Sequence, residues 1–381
     1  MVTKTVLDAI RFAKGKAFNW ADITKSRFQS VSEAQYDREH IGHFLDSNFK
    51  LTSGEKEQIK HMYGGIIPCI SRGYDFFHAM KQLDKFDVNY IPSSYYYPYM
   101  LRELNPEKFK KLMCNKSLIK LIYQNGVLQP ETPLRSIAGV YFNSENKPIT
   151  TDEAMKIIER IDSPILFKPS TDTNSGIGIK FIEKDHLDDL CQAIHSRSVV
   201  AFDSDFVIQL PVEQSEETRI FNPTSLNCMR ITTLNLNGEV SAHSLTLKCG
   251  PRDSKVDNIG SGKRGVIIGV SSDGHLASYG FYGNGEKVKS HNQILFEGKR
   301  IPSFNKVIQA AINLHKVVES CHVIGWDMAL DASGNAVLIE GNTNYPGISL
   351  EQMCSGPVFG DRTEEVITYV SENKRIKGGS K

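Results

Sequence analysis

Residues 325–347 read GWDMALDASGNAVLIEGNTNYPG, two short apolar runs, each carrying an acid, around the turn-forming segment DASGN. The runs IGWDMAL and AVLIEGN flank Ser-Gly-Asn, which is the pattern of a two-stranded hairpin. A hairpin centred between Ser333 and Gly334 puts Asp327 opposite Glu340, because both lie equally far from that centre. Opposed residues have Cβ atoms about 5 Å apart, and like charges there repel. Side chains alternate with period two, so Asn342 falls on the side of Glu340. Two acids and an amide then converge on one face, where a divalent cation would remove the repulsion. Oxygen-only ligands favour Mg²⁺ or Mn²⁺ over zinc. The hairpin alone leaves a second reading open: a slipped register, one acid solvated, and Asn342 merely making a turn.

The second informative stretch lies upstream, FKPSTDTNSGIGIKFIEK at residues 167–184. Small and polar residues from Ser170 to Gly178 can bring backbone N–H groups close to phosphate oxygens, and Lys168 supplies positive charge at the loop base. A dinucleotide fingerprint or a Walker loop needs a helix directly after its glycines. Here the alternating IGIKFIEK follows, so the stretch reads as a strand-loop-strand phosphate flap. GSGKR at 260–264 resembles a Walker motif only superficially, since Asp257 stands where its first glycine belongs. Lys116 and Lys168 each follow a break in the chain, and a pair of ammonium groups can hold separated phosphates. An ordinary solvated lysine is the alternative for Lys116 taken alone.

Around these stretches the texture is that of alternating helices and short strands. NKSLIKLIYQNG has helical spacing, and Thr150 with Glu153 forms a capping box for TDEAMKIIERI. Strand ILFKP, strand IGIKFIEK, helix HLDDLCQAIHSR and strand DFVIQLPV follow. RITTLNLNGEVSAHSLTL and GVIIGVSSDGHLASYGFY read as strand pairs turning at Asn237-Gly238 and Asp273-Gly274. Helix SFNKVIQAAINLHKVVES leads into the hairpin. Up to about residue 110 the pattern is helical and irregular, ending in NYIPSSYYYPYM. Its tyrosines 90, 95, 96, 97 and 99 bury area while keeping a polar tip; packing onto the next domain and a sugar-stacking platform are the two readings.

Composition excludes several classes. The chain has 381 residues, with 45 Lys plus Arg against 44 Asp plus Glu, so no global basic field points to nucleic acid. Nothing approaches the roughly 18 consecutive apolar residues of a membrane span. MVTKTVLDAIRFAKGKAF reads as a short amphipathic helix, without a signal peptide's apolar block, in a cytoplasmic protein. Seven cysteines form no CxxC pair, which suggests reduced and mostly buried thiols. The histidines show no HExxH spacing.

Taken in order, NK at 115–116, FKPSTDTNSGIG, FVIQLPV, SLNCMRITTL at 225–234, VDN at 256–258, GWDMAL and LIEGNTNYPG resemble the ATP-grasp superfamily. More narrowly the set is similar to the sugar-transfer associated ATP-grasp family, found among polysaccharide biosynthesis functions. The resemblance spans roughly residues 112–360 and implies an α+β fold, two α+β lobes gripping ATP between antiparallel sheets. It further implies that Lys116 and Lys168 contact phosphates, that the loop containing Ser175, Gly176 and Gly178 covers them, and that Gln209, Leu210 and Val212 form the adenine hinge. Gln214 and Glu217 become ribose candidates, and Asp327, Glu340 and Asn342 magnesium ligands. Arg230 matches the arginine that would steady an acyl-phosphate or tetrahedral intermediate, with Lys168 and Lys248 beside it as catalytic candidates. Lys248, Arg252, Asp257, Asn258 and Lys263 fall on the acceptor side by position, or are ordinary hairpin-edge polar residues. Cys228 stands where a threonine is commoner, and Asn115 where many relatives carry Asp.

The expected organisation is a mainly helical region at 1–111, an N-lobe with the flap at 112–211, a C-lobe with metal and acceptor sites at 212–370, and a basic flexible tail at 371–381. The expected activity is ATP-dependent ligation of a small-molecule carboxylate, a uronic sugar or an amino acid, to an amine. A kinase acting on a hydroxyl and a non-catalytic nucleotide-binding partner of a glycosyltransferase complex are the rival readings.

Overall fold

The computed structural model describes residues 24–46, 48–70, 72–123, 126–171, 178–195, 205–255, 259 and 264–379. It divides into two units, residues 105–360 and residues 1–104 with 361–381. The expected N-terminal amphipathic helix, VDN at 256–258 and the GSGK of the Walker-like stretch lie outside the described residues.

The larger unit holds two antiparallel sheets. The first takes β1 (Leu134–Ile137), β2 (Val140–Asn143), β3 (Pro148–Ile149), β4 (Ile165–Pro169), β5 (Lys180–Ile182) and β6 (Phe206–Gln209), in the order β3-β2-β1-β6-β4-β5. The helix Thr151–Glu159 starts at the expected capping box, with Thr150 and Glu153 bonded reciprocally. It joins the helix Leu187–His195 over the sheet through Ala154, Ile158, Leu190 and Ile194, which pack with Leu134, Phe167 and Ile208. Among the described residues of IGIKFIEK, 178–184, only β5 is strand, shorter than the alternation suggests.

The second sheet takes β7 (Cys228–Leu236), β8 (Glu239–Cys249), β9 (Val266–Val270), β10 (Leu276–Tyr282) and β11 (Lys287–Val288). After a separate pair, β12 (Ser290–His291) and β13 (Ile294–Leu295), it is completed by β14 (Val323–Leu330) and β15 (Ala336–Asn342), in the order β11-β10-β9-β8-β7-β14-β15. Asn237 and Gly238 both have positive φ, as a two-residue hairpin turn requires. The β9–β10 turn is longer than its Asp-Gly signal suggests. There Ser271 N–H donates to His275 C=O at 2.9 Å, and of the Asp-Gly pair only Gly274 has positive φ.

Period-two alternation divides the second sheet into two unlike faces. Met229, Ile231, Leu247, Ile268, Trp326 and Met328 lie against the helix Phe304–His315. Burying each large apolar side chain there contributes about 1.5–3 kcal/mol. His315 fastens the helix end. Its Nε2 lies 2.8 Å from Cys321 C=O, which makes Nε2 the donor and leaves Nδ1 to accept from Thr233 Oγ1 at 2.6 Å. Thr233 Oγ1 also accepts from Trp326 Nε1 at 2.8 Å. All nine residues of β7 are buried, yet its other face is polar, carrying Arg230 beside Asp327 of β14.

In the smaller unit, helices at residues 24–41, Ser53–Met62 and Asp75–Gln82 surround the tyrosine-rich segment. Tyr63 donates its hydroxyl to Tyr90 C=O at 2.7 Å and meets Tyr95 edge-on, and Tyr95 stacks on Tyr99. Tyr90, Tyr95, Tyr96 and Tyr97 are buried core residues of this unit, so they offer no open sugar platform. The helix Thr363–Gly379 occupies most of the stretch expected to be a frayed tail. Among the described residues no helix is long and apolar enough to cross a membrane.

Candidate active site

β14 and β15 pair with Asp327 opposite Glu340, the register counted from the sequence, but they reach it by another route. Gly334 takes positive φ, and the Asp331 carboxylate accepts N–H bonds from Ser333 and Asn335 at 2.9 and 2.8 Å. The resulting turn centres the nearby ladder on Ser333, with Leu330 opposite Ala336 and Met328 opposite Leu338. An unbroken ladder would then set Ile339 against Asp327 and turn Glu340 toward the Trp326 core. A bulge where the ladder passes between Met328 and Asp327 leaves Ile339 unpaired and returns Glu340 to the face of Asp327. Asn342 Nδ2 lies 3.3 Å from Asp327 Oδ2 and 3.4 Å from Glu340 Oε1.

Protein cations hold both acids. Arg230, opposite Asp327 on β7, grips it with two bonds, Nε to Oδ1 at 2.7 Å and Nη2 to Oδ2 at 2.8 Å. Lys248 Nζ stands 2.8 Å from the same Oδ1. Burial pushes the Asp327 carboxyl upward, but Arg230 and Lys248 outweigh it and hold the group well below the usual carboxylate range. Glu340 Oε2 meets Lys116 Nζ at 3.0 Å. The repulsion that suggested a metal ion is thus already relieved by Arg230, Lys248 and Lys116. The donor chemistry still fits a hard cation, since two carboxylates and an amide whose oxygen and nitrogen can exchange by a flip meet on one face.

Lys116 begins the helix Lys116–Ile122, whose cap Asn115 accepts from Ser117 N–H at 2.9 Å. Its own N–H donates to Ser170 C=O, just past β4, at 2.8 Å. That bond ties the start of the helix to the strand of Lys168. Lys168 is buried and lines a cavity of about 390 Å³ together with Leu166, Gln209, Val212, Leu226 and the bulged Ile339. Lys168 thus brings its charge into a cavity whose walls mix apolar side chains with polar ones such as Gln209, Glu213 and Thr224.

Other expected residues fall differently. Leu210 lines the cavity, but its N–H is committed to Glu131 C=O at 2.9 Å. Gln214 lines it too, yet its amide donates to Asn222 and Ser225 C=O and accepts from Asn227, so it braces a loop and is not open to a ribose. Glu217 is absent from the lining; both its oxygens accept from Ser303, N–H at 2.8 Å and Oγ at 2.7 Å, at the start of the helix Phe304–His315. Gly178 has positive φ, while Ser175, Gly176, Asp257, Asn258 and Lys263 lie outside the described residues. Arg252 sits exposed in the turn after β8. Sequence reasoning missed Lys255, which lines the cavity with its Nζ 4.9 Å from the Phe181 ring centre, and Glu351, a buried acid 3.8 Å from Arg230. A lone lysine in a loop and a glutamate in a short helix carry no local signal.

The family model described as sugar-transfer associated ATP-grasp matches residues 98–368. No curated protein matches the chain. Similar solved structures include a biotin carboxylase βγ-ATP complex from Campylobacter jejuni, 16% identical with a TM-score of 0.43, over 68% of this chain and 46% of that one. Another is the VanG D-Ala:D-Ser ligase from Enterococcus faecalis, 16% identical with a TM-score of 0.42, over 71% of this chain and 64% of that one. The D-alanine–D-alanine ligase from Bacillus anthracis is 15% identical with a TM-score of 0.38, over 71% of this chain and 70% of that one. The chain spans less than two thirds of the length of the first two.

Proposed function

Because the chain belongs to the sugar-transfer associated ATP-grasp family and has the ATP-grasp fold, we propose that it is an ATP-dependent, ADP-forming carboxylate–amine ligase. The acyl substrate is a uronic sugar or an amino acid in cytoplasmic polysaccharide biosynthesis. The observation that carries this reading is the pairing of Asp327 with Glu340, bridged by Asn342 and flanked by Lys116, Lys248 and Arg230.

In this reading residues 112–211 form one lobe and residues 212–370 the other. The base lies in the cavity beside Gln209, Leu210 and Val212, and Lys116 and Lys168 hold phosphates under the loop of Ser175, Gly176 and Gly178. Asp327, Glu340 and Asn342 hold Mg²⁺ (or Mn²⁺), which when bound neutralises phosphate charge. Lys116 exchanges its carboxylate partner for a phosphate oxygen as ATP enters. The substrate carboxylate attacks the γ-phosphorus, a step that depends on positioning and electrostatics and needs no protein nucleophile. Arg230, fixed by Asp327 and by its Nη1 bond to Pro346 C=O at 2.8 Å, keeps its charge where the oxyanion develops. The amine then displaces phosphate from the acyl carbon.

Phosphorus NMR of the protein with Mg-ATP and pooled uronic sugars, amino acids and amines, followed by mass spectrometry, tests the proposal. ADP and phosphate that form only when carboxylate and amine are both present, with a condensed mass, are the expected result. A lasting phosphorylated hydroxyl acceptor would make the protein a kinase.

A further inference from the structure

Arg135 is a buried cation that the proposed chemistry leaves without a role. It stands on β1 and is 1% exposed. Its Nη1 donates to Ser117 C=O at 3.1 Å and its Nη2 to Asn146 Oδ1, both neutral acceptors. Its Nε–H has no hydrogen-bond partner, and among the described residues no carboxylate pairs with the guanidinium. Burial opposes the charge, and no acid offsets it. An arginine nonetheless stays protonated at neutral pH. A buried charge held only by neutral groups costs free energy, so stability alone gives no reason to keep it.

Strand pairing places this charge. Arg135 pairs with Val207 on β6, and Val207 pairs with Lys168 on β4. Paired residues point to one face, so Arg135 and Lys168 stand in one row, two strand spacings or about 10 Å apart at their Cα atoms. Their neighbours Leu134 and Phe167 turn the other way, under the two helices of the first sheet. Leu166 and Gln209 share the face of Arg135 and line the cavity. The helix of Lys116 packs on this face as well. Ser117 Oγ lies 3.2 Å from Ser136 C=O and from Phe206 C=O, and the Ser117 carbonyl is the one that Arg135 holds.

The other cations of the site have acids beside them. Lys116 stands by Glu340, and Arg230 and Lys248 stand by Asp327. A paired charge acts as a short-range dipole, whereas the potential of an unpaired one reaches further through the dry interior. Lys120, on the helix of Lys116, registers that potential. Burial and then Arg135 hold its ammonium below the ordinary lysine range, against the pull of Glu131.

We propose that Arg135 is a positioning residue of the triphosphate site and sets its selectivity for charge. Its uncompensated charge draws a polyphosphate toward Lys116 and Lys168 from beneath, without touching it. Its bond to Ser117 C=O steadies the turn from which Lys116 extends. The inference rests on the nucleotide position in the ligase reading and adds what favours ATP over less charged nucleotides.

The test is calorimetric titration of the wild-type protein, Arg135→Met and Arg135→Lys with adenosine, AMP, ADP and ATP. Low ionic strength and chelated magnesium leave these ligands with stepwise increasing negative charge. One unit charge acting over about 10 Å of partly buried path is worth about 10-fold in binding. Arg135→Met is therefore expected to weaken ATP about 10-fold, ADP less, and adenosine by under about 2-fold. Arg135→Lys keeps the charge and should restore most of the loss for ATP. Phe142→Glu keeps the test open if Arg135→Met does not fold. Phe142 pairs with Arg135 across β1 and β2, so an acid there cancels the charge with the arginine in place, and the same graded loss is expected. An equal loss for all four ligands, or no loss, would reduce Arg135 to a structural role and overturn the inference while the nucleotide reading stands. Wild-type protein that binds none of the four would remove the nucleotide position, and the inference with it.

Discussion

Lys116 Nζ stands 3.0 Å from Glu340 Oε2, linking the first residue of a helix on the first sheet's side to the closing strand of the second. The contact couples the lysine proposed for phosphate to an acid proposed for magnesium, so each group is held ready by the other until ATP separates them. Glu340→Gln keeps the shape and removes the charge. It is expected to abolish ATP turnover while the thermal transition stays within a few degrees of wild type. Undiminished turnover in steady-state assays would remove Glu340 from the reaction.

Asp327→Asn should be costly to the fold as well as to activity. The carboxylate is 4% exposed and lies between Arg230 and Lys248. Removing one partner of a buried ion pair leaves an uncompensated charge and costs about 3–5 kcal/mol. Urea unfolding of the two proteins measures the difference. The acid side has a defined sign: burial opposes ionisation, the two cations outweigh it, and the folded pKa is depressed. Stability from this group is therefore full above the ordinary 3.8 and is lost as pH falls toward the folded value. The variant should lose that acid-side slope.

His315 gives a second pH signature at milder acidity. Burial pushes the imidazole down to about 4, against an ordinary 6.5, while its bond to Cys321 C=O works the other way. The unfolded chain binds the proton more readily, so stability is full above about pH 6.5 and falls as pH drops toward 4. A shift of this size corresponds to a loss on the order of 3 kcal/mol. His315→Gln should be less stable at neutral pH and show a flatter stability curve between those values.

The cavity makes a steric prediction. Leu226 lines it opposite no charged partner in the proposed scheme, and tryptophan at that position would fill much of the roughly 390 Å³. Leu226→Trp is expected to weaken ATP binding at least about 10-fold, or 1.4 kcal/mol, in calorimetric titration, with little change in melting temperature. Wild-type affinity would place the nucleotide elsewhere.

Local rules made much of the arrangement readable. Period-two counting put Asp327 and Glu340 together, apolar spacing located the helix that begins at Lys116, and cap chemistry located the one after Thr150. Counting reached the right pairing without the bulge, because a two-residue turn with a straight ladder and a Ser333-centred turn with Ile339 extruded give the same partners. What stayed hidden depends on distant packing. Gln214 and Glu217 looked like ribose ligands, but their polar atoms are taken by Asn222, Ser225, Asn227 and Ser303. Glu351 is buried by the fold of residues 343–356 over the second sheet, which no local pattern announces. Protein cations that could replace a metal in neutralising facing acids are likewise invisible until the strands are paired.

The most direct test of the central claim follows an oxygen atom. A carboxylate substrate labelled with ¹⁸O is incubated with Mg-ATP, the amine and the protein, and the released phosphate is read by its isotope shift in phosphorus NMR. An acyl-phosphate ligase transfers one ¹⁸O from the carboxylate to each phosphate released. Phosphate released without label during amide formation would contradict the account.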